Sequence, residues 1–481
     1  MFILTLLKIS SILLAIIGLL FGIPLSVAFV CNETQMYLPF IIPMISSFAF
    51  AIIVFFSTRK IHFKLTTRTT FLTVAVCWIL MSLLGSVPLY FSNCFNSYID
   101  AFFESVSGFT TTGGTVLTSV ENLPRSINVM RCLTHWIGGM GIVTLTVALL
   151  PLLGVGGFQL IKAESTGPEK GKVTAKITTT AKILWVIYAG LTVLQAILLK
   201  IAGMDWIDAI SHALSTLGTG GFSSKNTSIT AYNSVAIEVI CTVFMFLAGV
   251  NFTIFYYLFT GKIKDVFHNS ELKAYFGLIL FFVIALTFSI IPVYGSFGKS
   301  LRYSSFQVAS IMSTTGFANC DYMLWPSVAQ FFVFLLFFFG GCSGSTAGGI
   351  KIIRWVILWK QINNETKKML HPHGIFTIRL DNRVGRKDIV FNVASFVSLY
   401  AILVFITTFV GCLGKLDMFS AFSGALSMVG NVGPAFNLLG PSCNYGFLPS
   451  FVKLWYCFAM LAGRLELYTM LIFFMPSYWK K

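Results

Sequence analysis

The sequence predicts an all-α polytopic membrane protein, in which two N-terminal spans precede four tandem units of span, short helix, glycine loop and span. The first observation is composition, because 56% of the 481 residues are hydrophobic and only 10% are charged. The second is the number of long apolar runs, and the third is a glycine-rich stretch that occurs four times. This composition excludes an ordinary soluble domain.

About ten apolar runs are long enough to cross a bilayer with a hydrocarbon core of about 30 Å. They lie at 3–29, 38–56, 71–91, 129–153, 183–203, 235–259, 275–294, 328–359, 389–412 and 452–475. Further spans follow the first run, which lacks a small-residue cleavage site, so we interpret it as a retained helix rather than a signal peptide. An even number of spans places both termini on one side.

The formal net charge of +16 is distributed as a topology signal. Most Lys and Arg residues lie near the two termini and in the loops on the same side of the membrane. By the positive-inside rule this side is cytoplasmic. We therefore expect both termini in the cytoplasm, no nucleic-acid partner, and basic loops that face lipid headgroups or an acidic protein.

A stretch rich in threonine and glycine recurs between pairs of spans, at intervals of roughly 100 residues. In each copy a short apolar helix, too short to span, leads to a glycine. The four glycines are Gly113, Gly220, Gly316 and Gly433. The third short helix is expected over Ser305–Met312, without the aspartate that starts the other three.

Non-helical backbone at membrane depth is tolerated only where it is buried in protein or lines a watery cavity. Four such loops around one pseudo-fourfold axis would point their carbonyls at a common centre, and the short helices would aim their negative C-terminal ends there. Close packing of helices through small residues is the alternative for one loop, but it does not account for four equivalent copies. The repeats predict a potassium-channel-like pore with a selectivity filter of backbone carbonyls.

We expect this filter to include the residues next to the four glycines. They are Thr111, Thr112, Gly113, Leu217, Gly218, Thr219, Gly220, Ser313, Thr314, Thr315, Gly316, Asn431, Val432 and Gly433. The fourth copy departs most, because Val432 replaces the threonine that precedes the glycine in the first and third copies. Backbone ligands tolerate that change.

The run 328–359 would be about 48 Å long as one helix, and its middle is rich in glycine. The middle residues are Gly340, Gly341, Cys342, Ser343, Gly344, Ser345, Thr346, Ala347, Gly348 and Gly349. Each glycine destabilises a helix by about 1 kcal/mol, so we expect a break there. The segment is either a gate beneath the filter or a GxxxG packing seam.

Arg464 lies in the middle of the run 452–475, where an arginine costs roughly 2.5–3.5 kcal/mol. Glu466 is two positions away and so points elsewhere on a helix. Arg464 either places a fixed positive charge in the pore or donates hydrogen bonds to carbonyls of the broken helix. Both roles are compatible if those carbonyls belong to the gate.

Five segments resemble the superfamily of potassium transporters that includes TrkH, KtrB and the plant HKT proteins. They are "FFESVSGFTTTGGT", "HWIGGMGIVTL", "LGVGGFQLIKAESTGPEKGKV", "FFFGGCSGSTAGGIKIIR" and "MLAGRLELYTML". The resemblance implies four covalently joined channel-like repeats, a gate loop at 340–349 and Arg464 in the pore beneath the filter. The two additional N-terminal spans favour the TrkH/TrkG branch.

The resemblance also implies potassium uptake across a bacterial inner membrane rather than enzyme activity, with K⁺ as the transported ion and no bound cofactor. It further implies a homodimer and a TrkA-like cytoplasmic ring that binds NAD or ATP and regulates transport. Two alternatives stay open: a sodium-permeable HKT-like protein, and a secondary transporter of an organic solute, which commonly has inverted repeats. Coupling to protons or sodium also stays open.

The repeats define five expected units. Residues 1–66 hold the two N-terminal spans, 67–160 the first repeat and 161–265 the second. Residues 266–385 hold the third repeat with the gate loop, and 386–481 hold the fourth.

Overall fold

The structure is a computed structural model that describes residues 2–59, 67–141, 177–381, 383–384 and 388–479. Its α-helices are α1 (Phe2–Leu20), α2 (Gly22–Val30), α3 (Tyr37–Thr58), α4 (Thr67–Phe91), α5 (Tyr98–Phe109), α6 (Arg125–Gly139), α7 (Ile177–Ile201), α8 (Trp206–Leu217), α9 (Val235–Ala248), α10 (Phe252–Phe259), α11 (Ile263–His268), α12 (Ser270–Tyr294), α13 (Phe297–Met312), α14 (Ser327–Leu336), α15 (Ile352–Leu370), α16 (Asp388–Leu413), α17 (Met418–Gly430), α18 (Ser450–Arg464), α19 (Tyr468–Leu471) and α20 (Pro476–Trp479). The 3₁₀ helices are Thr34–Met36, Ser228–Tyr232, Tyr322–Leu324, Asn437–Leu439 and Ile472–Phe474. A two-residue antiparallel pair joins β1 (Arg379–Leu380) to β2 (Arg383–Val384).

The predicted all-α membrane architecture is confirmed. In the described ranges, six stretches are long and apolar enough to cross a membrane. They comprise α1 with α2, and α3, α4, α7, α12 and α16. These are the two N-terminal spans and the first span of each of the four repeats.

The second span of each repeat, which we call the inner helix, differs from a straight span. The runs 235–259 and 452–475 were expected as single spans, and this expectation is wrong: α9 and α10 meet at 94°, and α18 and the helical turns after it meet at 119°. The side chain of Asn251 starts α10 by accepting a hydrogen bond from the Thr253 amide. Glu466 and Leu467, with φ of 57° and 53°, reverse the chain after α18. The end of the run 129–153 lies outside the described residues.

The four short helices are α5, α8, α13 and α17, and polar residues fix where they begin. Ser97 accepts a hydrogen bond from the Asp100 amide, and Asp417 accepts one from the Ser420 amide. The third short helix begins at Phe297, not at Ser305 as the sequence suggested. Its Arg302 forms an ion pair with Glu238 of α9 at 3.2 Å, so a charge that resembled a loop residue lies within a helix.

The repeats close into a ring, because each inner helix packs on the short helix of the next repeat. Helix α6 packs on α8, α9 on α13, and α18 on α5. Phe334 of α14 contacts Phe419 and Phe422 of α17. This cyclic order brings the four glycine loops together at one axis.

The expected unit boundaries remain predictions. The second unit was expected to begin at residue 67, where α4 begins. The boundary between 265 and 266 falls inside α11. The boundaries at 160 and 385, and the segment 153–173 that contributes to the resemblance, lie outside the described residues.

Candidate functional site

Each short helix ends in the same backbone conformation, which defines the register of the four glycine loops. The first residue of the pattern has left-handed dihedrals and is Thr111, Thr219, Thr314 or Asn431, with φ of 56°, 54°, 56° and 54°. Two positions later stands a glycine, Gly113, Gly221, Gly316 or Gly433, with φ of 77°, 81°, 80° and 101°. Glycine reaches this region without strain.

The register predicted for the second loop is therefore wrong by one residue: Gly221, not Gly220, corresponds to Gly113. Gly220 corresponds instead to the residue before the glycine in the other loops. In all four loops the amide of that residue donates to the carbonyl of a serine five positions earlier; the pairs are Thr112–Ser107, Gly220–Ser215, Thr315–Ser310 and Val432–Ser427, at 2.8–2.9 Å. Leu217 ends α8 and Gly218 follows it, so these two residues precede the loop proper, as does Ser313.

The four glycines form a closed ring with the carbonyl groups of their neighbours. A Cβ on each glycine would point at the carbonyl oxygen of the residue before the glycine in the next loop. The pairs are Gly113 with Gly220, Gly221 with Thr315, Gly316 with Val432, and Gly433 with Thr112. Any side chain would push against backbone, so the ring requires glycine at these positions.

A histidine that the sequence analysis missed fills the space beside the second loop. His135 of α6 is fully buried, and a Cβ on Gly220 would collide with its ring. Its Nδ1 lies 2.8 Å from the Gly108 carbonyl, and its Nε2 lies 3.2 Å from the Phe222 amide. Nδ1 therefore carries the proton, and Nε2 accepts. The glycine in place of a threonine at 220 makes room for this bridge between the first two loops.

The fourth loop keeps the backbone pattern with different side chains. Asn431 donates from Nδ2 to the Thr112 hydroxyl at 2.9 Å and to the Met460 carbonyl at 3.0 Å. The Tyr445 hydroxyl donates to the Gly433 carbonyl at 2.6 Å. Val432 contributes only its backbone to the ring. The divergent residues thus preserve the loop geometry.

The expected break in the third inner helix is present, and the chain between α14 and α15 lies directly under the loops. The Gly348 amide donates to the Thr314 hydroxyl at 2.6 Å, and a Cβ on Gly348 would collide with the Gly430 carbonyl. The segment also contacts the bend between α9 and α10: the Cys342 amide donates to the Gly249 carbonyl at 2.8 Å. We call residues 340–349 the intramembrane segment.

Glu271, at the start of α12, holds both ends of this break. It is 5% exposed, and its carboxylate accepts from the Ser343 amide at 2.6 Å, the Ser343 hydroxyl at 2.7 Å and the Ile353 amide at 3.1 Å. Charge-assisted bonds of this kind are about twice as strong as neutral ones. The sequence analysis missed Glu271, although an acidic residue at the start of a span is a usable signal.

Arg464 lies at the end of α18, where the chain turns, rather than in the middle of a straight span. Its guanidinium donates to the carbonyls of Thr346, Gly138 and Gly139, each at 2.7 Å. Thr346 belongs to the intramembrane segment, and the two glycines are the last residues of α6, where the helix dipole favours a cation. Arg464 therefore joins the fourth, third and first repeats.

Glu466 has a partner on another helix. Its carboxylate accepts from Arg354 of α15 at 2.5 Å, and the Arg354 guanidinium lies 3.6 Å from the centre of the Phe396 ring. The buried Lys351 donates to the Ala347 carbonyl. A group of charged side chains thus surrounds the intramembrane segment on the side away from the glycine loops.

Comparisons with known proteins agree with this architecture. Residues 39–481 match the TrkH family, described as a cation transport protein. The potassium uptake protein TrkH of Escherichia coli K12 is 39% identical over 430 residues, 88% of each chain. TrkG of the same strain is 34% identical over 463 residues, 95% of this chain and 94% of that protein. The crystal structure of the potassium transporter TrkH from Vibrio parahaemolyticus superimposes with a TM-score of 0.89 at 32% identity, over 100% of both chains. The chain belongs to the TrkH family of cation transport proteins.

Proposed function

We propose that this chain takes up potassium ions across the bacterial inner membrane through the ring of four glycine loops. The relatives described above are potassium uptake proteins. The observation that carries the proposal is the closed ring, in which each loop glycine faces a backbone carbonyl of the next loop. A ring of backbone oxygens replaces the hydration shell of K⁺ in a potassium filter.

The filter would use the backbone around the four glycines, with Gly221 in place of Gly220 at the glycine position. The four short helices end at the loops, and their C-terminal dipole ends favour a cation there. Leu217, Gly218 and Ser313 would support the filter from the helix ends. No side-chain carboxylate is required to hold the ion, since the oxygens come from the backbone.

The intramembrane segment and Arg464 would form the gate. Gly348 touches the third and fourth loops from below, and Arg464 fastens Thr346 to the end of α6. A cation that leaves the filter on this side meets the segment first. Movement of the segment would open the path, and the fixed charge of Arg464 would oppose cations while the segment is in place.

Both termini and the loop between α15 and α16 would face the cytoplasm, in accordance with the positive-inside rule. This side would receive a TrkA-like ring that binds NAD or ATP and regulates the gate. We further propose that the chain acts as a homodimer in the bilayer. Whether transport is coupled to H⁺ or Na⁺ is a separate question from the identity of the filter.

The test is flux into proteoliposomes that contain the purified protein, measured with potassium, rubidium, sodium and lithium under imposed voltage and pH gradients. The proposal predicts potassium and rubidium flux well above sodium and lithium flux. Comparable sodium flux would favour the HKT-like alternative, against which Gly113 stands at the first filter position. Transport of an organic solute without alkali-cation flux would overturn the proposal.

A further inference from the structure

A second ring of hydrogen bonds surrounds the glycine loops. Two residues after each loop glycine, one backbone carbonyl accepts a hydrogen bond from the preceding repeat in the cycle. The pairs are Tyr445 N to Thr115 O at 2.8 Å, Arg131 Nη1 to Ser223 O at 3.4 Å, Ile229 N to Ala318 O at 3.2 Å and Tyr322 Oη to Ala435 O at 2.5 Å. The donors belong to repeats four, one, two and three, so the chain of bonds closes. We call it the outer belt.

Two of the four links are made by side chains, and both side chains are buried. Tyr322 is 1% exposed, and its ring packs on Phe436 at 5.3 Å between centres. Arg131 is 2% exposed, and it forms an ion pair with Glu104 at 2.8 Å. Glu104 in turn accepts from the Thr115 hydroxyl and the Val116 amide. The Arg131–Glu104 pair therefore fastens the first loop to the second.

We propose that the outer belt sets the spacing of the filter loops, and that Tyr322 and Arg131 are positioning residues for potassium selectivity. The inference rests on the proposed function of the ring. Carbonyl dipoles that point at a common centre repel one another when no ion lies between them, so the loops need attachment from outside. Selectivity between K⁺ and Na⁺ depends on the spacing or the field of these carbonyls, and the belt bonds lie two residues from the ring.

The belt differs from general support of the fold because its links have the same position in every repeat although their chemistry differs. An amide, a guanidinium, an amide and a phenol fill the four donor positions. In the third repeat a neutral residue, Gln307, corresponds to Glu104, counted from the serines Ser310 and Ser107. Gln307 also contacts its own loop, through Asn319 at 3.2 Å. A neutral residue is therefore compatible with the fold at this position.

The test compares Tyr322→Phe with Tyr294→Phe in the same liposomes. Tyr294 is a matched control, because its hydroxyl accepts from Trp325 at 3.0 Å in the same repeat without touching a filter loop. Loss of one belt bond is expected to lower the potassium-to-sodium flux ratio about threefold to tenfold, the range that a single buried hydrogen bond provides. The control should keep the wild-type ratio.

A second variant keeps the test decisive if Tyr322→Phe does not yield monodisperse protein. The double variant Glu104→Gln with Arg131→Met removes both charges together and avoids an unpaired buried ion. Arg125→Met is its control, since Arg125 of the same helix joins Asp205 in an exposed pair outside the belt. A fall in the ratio with either belt variant, and not with the controls, supports the proposal.

An unchanged ratio in a folded belt variant with retained flux would overturn the role of the belt. The same experiment separates this outcome from failure of the proposed function. If the wild-type protein itself does not distinguish potassium from sodium, the filter is wrong. If the wild type distinguishes them and the belt variants do so equally well, only the belt is wrong.

Discussion

Replacement of Gly113 by serine should reduce potassium selectivity by a mechanism that the ring makes explicit. Gly113 has φ of 77°, and an L-residue in the left-handed region costs about 1–2 kcal/mol. A Cβ on Gly113 would lie 1.9 Å from the Gly220 carbonyl oxygen and 3.0 Å from its carbon. Because real Cβ atoms do not approach other heavy atoms within 3.0 Å, the oxygen must move by about 1 Å.

A displacement of about 1 Å exceeds the few tenths of an ångström by which ligand distances differ between Ca²⁺ and Mg²⁺ sites. The Gly220 carbonyl should therefore lose its place in the ring, while the other loops keep theirs. We expect the potassium-to-sodium flux ratio to fall at least about tenfold, which corresponds to about 1.4 kcal/mol. Total flux should persist, since one loop of four is altered.

The assay is flux in liposomes of one composition, with Gly190→Ser as the matched control. Gly190 lies in α7, and a Cβ there would meet no atom within 4 Å. The control should keep both the wild-type ratio and the wild-type flux. If Gly113→Ser keeps the wild-type ratio and flux in monodisperse protein, Gly113 is not part of the filter and the reasoning from the ring is refuted.

Three further predictions concern the gate. Arg464→Ala should raise cation flux severalfold, because it removes a fixed charge and three bonds to carbonyls; flux no faster than wild type in folded protein would exclude a barrier role. Deletion of two or three residues within 340–349 should raise flux and weaken control by the regulatory ring, and a folded deletion variant with wild-type flux and regulation would favour a packing seam. Glu271→Gln should also raise flux, because a neutral amide holds Ser343 and Ile353 less strongly than a carboxylate; unchanged flux beside the exposed control Glu365→Gln would show that Glu271 does not hold the segment.

The repeat pattern carries much of the fold in the sequence. Long apolar runs predict spans, and four glycine loops at equal intervals predict a fourfold arrangement. Five glycines within ten residues correctly predict the break in the third inner helix. The expectation of a transporter rather than an enzyme is confirmed by membership of a family of cation transport proteins.

Other features depend on contacts between distant residues, which the sequence pattern does not report. The doublet at Gly220 and Gly221 offers two registers, and only the backbone dihedrals distinguish them. The bends after α9 and α18 interrupt runs that are uniformly apolar, because hydrophobicity reports burial in lipid but not the direction of the chain. Arg302 resembled a loop residue, since its partner Glu238 lies in another helix.

The most direct test of the central claim is to locate a bound ion. Crystals of the protein grown with rubidium should give an anomalous peak on the axis between Gly113, Gly221, Gly316 and Gly433, within reach of their loop carbonyls. The account predicts this peak, and predicts its loss when lithium replaces rubidium. Ordered rubidium elsewhere in the protein, with no peak inside the ring, would contradict the assignment of the four glycine loops as the filter.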